Sequence, residues 1–438
     1  MGAWLGLLLL AIAPLPSIRG GEAAAVTRRP TTLEQIVREA LESNPSVQAA
    51  RMRWEAAKAR VPQARAWEDP KLDFSSRVGR FVTIPPNAFM DQTLMIEQAI
   101  PLSGRNLSRG RSAEAEALAA YEDLRRVQLD VAARARATYF RLANAYAQLD
   151  VNRRNDDLLR QFADISRARF EAGGQTQADV LLAETESARI TEARVELEQT
   201  RSDQETALNV LLNRPAQTPL GRPILQENPP ALHLPLEQLQ AVALLNRPEV
   251  IAASRRVEAA QARLELARRE WVPDPAVRLQ AQRYNAASQA VSELDLGVTI
   301  NLPWLNRSKY QAEIREAQRN LEAARQDLEA QRTQTQGLVR DQLARINTFH
   351  HHLEIYRGKI LPLARQTIEA NQSGYESSKS GFLDLLTSQR NLQEAESTLY
   401  MHLSDYQAAV AELEALVGTE KMRRLSGGAM PTMDHHPK

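Results

Sequence analysis

Two acidic residues in this 438-residue chain stand where they could act on ions. Asp179 lies just beyond the turn Phe170-Glu171-Ala172-Gly173-Gly174-Gln175, and Asp384 just beyond the turn Tyr375-Glu376-Ser377-Ser378-Lys379-Ser380-Gly381. A carboxylate in the first turn of a helix attracts cations when several converge, and it is also stabilised by the helix dipole. Thr176-x-x-Asp179 spells a capping box, so capping alone is an equal reading of that acid. A second group is His350-His351-His352, whose imidazoles are metal ligands by type but which sit inside a long helical pattern. A third is the tail, where Met430, Met433, His435 and His436 supply thioether and imidazole donors suited to Cu(I) or Ag(I), or simply a polar terminus without packing. Cysteine is absent, which removes disulfides, thiol nucleophiles and thiolate sites. There is no glycine-rich phosphate loop after a strand and no HExxH, so no enzyme and no cofactor is expected.

The elements that would position these residues are written twice, about 203 residues apart, a period too long for a solenoid repeat. Glu55-Ala56-Ala57-Lys58-Ala59-Arg60 returns as Glu258-Ala259-Ala260-Gln261-Ala262-Arg263, Asn44-Pro45 as Arg247-Pro248, and Asp69-Pro70 as Asp274-Pro275. Ile100-Pro101-Leu102 returns as Leu302-Pro303-Trp304, and Asp179-Val180-Leu181 as Asp384-Leu385-Leu386. Each copy begins with a helical stretch that ends at the Asp-Pro. The period then changes to two. Leu72 and Phe74 alternate with Asp73 and Ser75, and Leu294, Leu296, Val298 and Ile300 alternate with Asp295, Gly297 and Thr299. Strands are expected at about 70–83 and 91–101, then at about 275–284 and 291–302, each long enough to cross a membrane when tilted. A soluble hairpin with one buried face is the other reading of the same alternation.

Helix follows each hairpin. Arg105 to Glu171 holds no proline and a single glycine, so 67 residues or about 100 Å of helix is expected there. The second copy runs over about 307–376, with a kink at Pro362. Tyr139, Leu142, Tyr146 and Leu149 form a coiled-coil seam, and Leu343, Ile346, His350, Leu353, Tyr356, Ile360 and Leu363 repeat it. His350 takes the seam place of Tyr146, which favours packing over ligation. Return helices are expected at about 178–212 and 382–417.

The domains are therefore a signal peptide at 1–25, repeat 1 at 26–212, a proline-rich linker at 213–235, repeat 2 at 236–418 and a disordered tail at 419–438. Net charge is +1 with both signs mixed, so no nucleic-acid footprint is present. No later segment is a transmembrane helix, so any membrane span must be a β-barrel.

The ordered set of duplicated hairpins, paired turns and the strand-ending Gln98-Ala99-Ile100-Pro101-Leu102-Ser103-Gly104-Arg105 resembles the TolC-like outer-membrane efflux family over about residues 31–418. The region from Ile84 to Arg105 looks more like its heavy-metal branch. The resemblance implies a mainly α fold with a small β part. Three copies would close a twelve-strand barrel in outer-membrane lipid, and a helical barrel would continue it through the periplasm. It further implies a passive exit duct served by a periplasmic adaptor and an inner-membrane pump, exporting metal cations. Drug efflux or type I polypeptide secretion is the alternative on the same fold, and a soluble periplasmic coiled-coil adaptor is the alternative of another class. By position, Asp179, Asp384 and Tyr375 match the family's closed periplasmic entrance. One departure is Lys379-Ser380, where some members carry an arginine.

Overall fold

The computed structural model describes residues 32–77, 90–171, 176–229, 231–232, 234–284, 288–377 and 379–418. The signal peptide expected at 1–25 and the Met430, Met433, His435 and His436 tail lie outside these residues. Among the described residues the order is α1 (Leu33–Ser43), α2 (Pro45–Arg65), β1 (Lys71–Ser76), β2 (Met90–Ala99), α3 (Arg105–Glu171) and α4 (Gln177–Leu211). The second half repeats it as α5 (Leu236–Asn246), α6 (Pro248–Arg269), β3 (Pro275–Tyr284), β4 (Glu293–Ile300), α7 (Arg307–Ile355), α8 (Leu361–Glu376) and α9 (Phe382–Val417).

The repeats start alike but cap differently. Asn44 accepts from the Ser46 N–H at 2.9 Å with Pro45 in the first helical position, so donor-poor proline and capping amide together start α2. The Asn44 side-chain amide also donates to the Leu211 carbonyl at 2.9 Å, tying this corner to the end of α4. Arg247 holds the matching place before Pro248 without capping α6, and its guanidinium turns to Glu249 at 3.0 and 3.1 Å.

The strands join the two halves. The four pair antiparallel in the order β1-β2-β3-β4, so the central pairing, β2 with β3, is between repeats. Leu72 faces Ile96, Ile96 faces Leu279 and Leu279 faces Leu296 in one row across the sheet. The next positions, Asp73, Met95, Gln280 and Asp295, form a row on the opposite face that is polar except at Met95. Each hairpin then passes into a long helix. At the first junction the Ser103 N–H and hydroxyl donate to Asp274 at 2.7 and 2.9 Å, and the Arg105 Nε donates to the same carboxylate at 2.7 Å. Gly104 takes φ +71° there, a left-handed turn that glycine allows without strain.

The long helices carry the core. Small residues line much of α3, with Ala135, Ala143 and Ala145 buried beside Tyr139 and Leu142, so neighbouring helices approach closely. Arg136 of α3 donates to Glu414 of α9 at 2.8 Å inside this core. Beside the pair, burial pushes the Tyr406 hydroxyl up to about 12. The described residues of the linker form no regular element, yet it is not loose. Leu220, Leu232 and Leu234 are buried in the bundle, and the Tyr139 hydroxyl accepts from the Ile224 N–H at 3.0 Å.

The second long helix departs from the expected seam. A π-turn, Tyr356–Ile360, separates α7 from α8, and Pro362 lies in the first turn of α8. Proline has no N–H for the carbonyl one turn back and its ring crowds that carbonyl, so the ladder loosens N-terminal to it. The extra residue of a π-turn rotates everything beyond it by about 100°. Leu363, expected on the seam, is consequently 61% exposed, while Leu361, Ile368 and Tyr375 carry the seam onward at heptad spacing.

Candidate functional site

Two regions of the molecule remain unsatisfied in a lone protomer. The first is the sheet. Leu72, Phe74, Leu94, Ile96, Leu279, Leu294, Leu296, Val298 and Ile300 all project from one face, and all are exposed, Leu296 by 76%. Polar and charged residues, among them Lys71, Asp73, Arg278, Gln280 and Asp295, fill the other face. Among the described residues the outer edges of β1 and β4 have no strand partner. A contiguous apolar patch of this kind beside open edges requires either another copy or an apolar solvent. Trp67 and Trp304 are exposed at the junction of sheet and helices, and Trp271 packs edge-on against Tyr310 at the same level, ring centroids 5.8 Å apart.

The second region is the opposite end, where α3 meets α4 and α8 meets α9. Asp179 and Asp384 each occupy the first turn of a return helix. They are held differently. Asp384 accepts from the Gly381 N–H at 3.1 Å and so caps α9, leaving its side chain exposed. Thr176 gives α4 no side-chain cap, and its hydroxyl donates to the Asp179 carboxylate at 3.1 Å instead, a contact that is neither bond of the spelled capping box.

Tyr375 is placed by neither turn but by α3. It is fully buried, its hydroxyl hydrogen-bonded to Ser166 at 2.8 Å, and its ring centroid lies 5.8 Å from that of Phe382. Arg169 sits across the tip. Its guanidinium lies 4.6 Å from the centre of the Tyr375 ring and donates to the Tyr375 and Glu376 carbonyls at 2.5 and 2.6 Å. These carbonyls end α8, beyond its last complete turn, and a cation from the other repeat caps them. Phe170 holds the corresponding position in the first turn and is 44% exposed. The two tips are thus unlike: the second is latched onto α3 and the first presents its aromatic outward. Arg390 of α9 adds a two-pronged ion pair with buried Glu186 of α4, its Nε donating to Oε1 at 2.9 Å and its Nη2 donating to Oε2.

Sequence reading missed Arg169, because a basic residue in the last turn of a helix has an ordinary role at its own C-terminus. It also placed His350 correctly as a packing residue, its ring 5.9 Å from Tyr406, but overlooked His402, which faces His352.

Both halves match the outer membrane efflux protein family, over residues 36–214 and 239–419. The chain belongs to that family. CzcC of Cupriavidus metallidurans, a cobalt-zinc-cadmium resistance protein, is 24% identical over 393 residues, covering 89% of this chain and 90% of CzcC. AprF of Pseudomonas aeruginosa, an alkaline protease secretion protein, is 24% identical over 406 residues, covering 86% and 82%. Among solved structures, the CusC transmembrane channel superimposes with a TM-score of 0.76 at 17% identity, covering 88% of this chain and 92% of CusC. The Campylobacter jejuni CmeC outer membrane channel gives 0.76 at 15% identity, covering 95% and 98%. The fold of this family member is therefore that of outer-membrane channels: mainly helical, with one small sheet. No described helix is long and apolar enough to cross a membrane.

Proposed function

We propose that this efflux protein is the passive outer-membrane exit duct of a tripartite system, and that its cargo is metal cations. The apolar face running unbroken across all four strands carries this reading. Lipid is the solvent that face fits, and in lipid an open sheet edge is not tolerated. Four strands cannot close, whereas three copies pairing β4 of one with β1 of the next make twelve, with the Lys71-to-Asp295 face lining the lumen. Trp67, Trp271 and Trp304 then mark the membrane boundary on the periplasmic side. The helices continue into the periplasm, where the tips meet an adaptor protein, and an inner-membrane pump supplies the energy.

Asp179 and Asp384 together give such a trimer six carboxylates around its entrance, a ring that favours cations over anions. Tyr375 contributes from behind the entrance, as the buried anchor of the latch. The metal cargo is supported by the likeness to CzcC. Polypeptide secretion through the same duct is the second reading, supported by the likeness to AprF. Removing the protein from its native cell distinguishes them. Tolerance to cobalt, zinc or cadmium should fall at least severalfold, with secreted protease unchanged. Unchanged tolerance to all three with a loss of secretion or of drug tolerance would overturn the metal reading while leaving the duct intact.

A further inference from the structure

The seam of α9 holds one residue that does not suit it. Phe382, Leu385, Gln389 and Leu392 follow one another at spacings of three, four and three, the pattern of a helix packed along a seam. Phe382 and Leu385 are buried in one apolar cluster with Leu159 and Phe162 of α3 and with Ile368 and Tyr375 of α8, and Leu392 packs against it. Gln389 stands between them and is 1% exposed. Its neighbours on α9 fix which way this stretch faces. Arg390 donates to Glu186 of α4 at 2.9 Å, and Gln393, one turn on, accepts from Asn155 of α3 at 2.8 Å. The Gln389 amide is therefore enclosed where α9 meets the first repeat, yet among the described residues neither its Oε1 nor its Nε2 has a hydrogen-bond partner. A buried polar residue that sets helix register bonds across the seam, and this one makes no such bond. Leaving a dry amide unbonded works against the arrangement that buries it. The first repeat avoids the problem. Glu184, equally five residues beyond its tip aspartate, is exposed and pairs with Arg167 at 3.4 Å.

We infer that Gln389 is a counterweight to the Arg169 latch: its unbonded amide destabilises the closed tip, and water satisfies it once α9 parts from α3. The role presupposes the duct reading, in which the second tip leaves α3 as the entrance opens. Latch and amide then act in opposite senses on one tip. The guanidinium on the Tyr375 and Glu376 carbonyls favours closure, and the amide, about 10 Å along α9 from Phe382, favours release. A tip held near balance in this way opens for a docking partner that binds the open form only modestly better than the closed one.

Gln389→Met keeps the unbranched side chain and removes both polar atoms. In the full chain reconstituted into a planar bilayer it should lower the open-to-closed ratio at least about tenfold, three protomers acting together. The guanidinium midpoint of the solubilised protein should rise, with the slope unchanged. Gln389→Glu places an unpaired carboxylate in the same dry seam and should make openings longer and more frequent. Arg169→Ala combined with Gln389→Met should open less than Arg169→Ala alone. A lower midpoint in Gln389→Met would show an amide satisfied where it lies, and openings as frequent as in the unaltered protein would show that its burial does not change with the gate. Either result overturns the role. An unaltered protein without conductance would overturn the duct reading and the gate role with it, while the midpoint still decides whether the amide is costly.

Discussion

Arg136→Met is expected to cost about 3–5 kcal/mol of stability, because it removes the guanidinium that faces the buried Glu414 carboxylate across the core. The two side chains are 6% and 9% exposed, and their 2.8 Å contact joins α3 of the first repeat to α9 of the second. Burial of both side chains limits how far water takes over when one partner is removed. The pair lies at a cavity of about 290 Å³ lined by Tyr139, Phe140, Tyr406 and Val410 together with Glu34, Gln226 and Gln407. Replacing both partners, Arg136→Met with Glu414→Leu, removes the charge altogether and should recover most of the loss, since well-packed apolar substitutes for a buried pair are often neutral. The measurement is the guanidinium midpoint of the solubilised protein, with the slope unchanged between variants. A single substitution as stable as the double would show that this ion pair does not hold the halves together.

Arg169→Ala is expected to produce the largest functional change, an increase in the open population of the reconstituted channel. The clamp on the Tyr375 and Glu376 carbonyls, beside the Ser166–Tyr375 hydrogen bond, ties α3 to the end of α8, and the tip cannot widen without breaking it. Hydrogen bonds from a charged donor contribute about 1.5–3 kcal/mol when dry, and a half-buried arginine leaves about 1 kcal/mol of that after solvent screening. Three latches acting together then move the closed-to-open balance by about a hundredfold. Single-channel recording reads this as longer and more frequent openings. Asp179→Ala with Asp384→Ala tests the electrostatic half of the entrance, and should weaken block by divalent cations without unlatching the tip. Openings of Arg169→Ala indistinguishable from those of the unaltered protein would leave the arginine as a helix cap only.

These two ties show where the sequence speaks and where it falls silent. An uninterrupted run from Arg105 to Glu171 can only be helix, and alternation at Leu294, Leu296, Val298 and Ile300 can only be a strand with one apolar face. Both follow from local periodicity, and the structure bears them out. Periodicity names a face but not what covers it. Nothing local says that β2 pairs with β3 across some 180 residues of chain, although that pairing is what turns two hairpins into one sheet. The π-turn was half legible: Pro362 announced a disturbance, but the shift of seam from Leu363 to Leu361 depends on how the ladder relaxes around the missing donor. Arg169 and His402 were invisible for a related reason. Each is a single residue on an amphipathic helix, and its partner lies on an element more than 45 residues away. The tip asymmetry, Phe170 outward and Tyr375 buried, likewise comes from packing between repeats whose turns read alike.

The central claim is that copies of this chain close a pore through the outer membrane. Recording across a planar bilayer after adding the purified, detergent-solubilised protein tests it most directly. The account predicts protein recovered from the outer membrane, discrete conductance steps and a preference for cations that diminishes when Asp179 and Asp384 are both replaced by alanine. A protein that fractionates as a detergent-independent soluble monomer and gives no conductance at any voltage would contradict it.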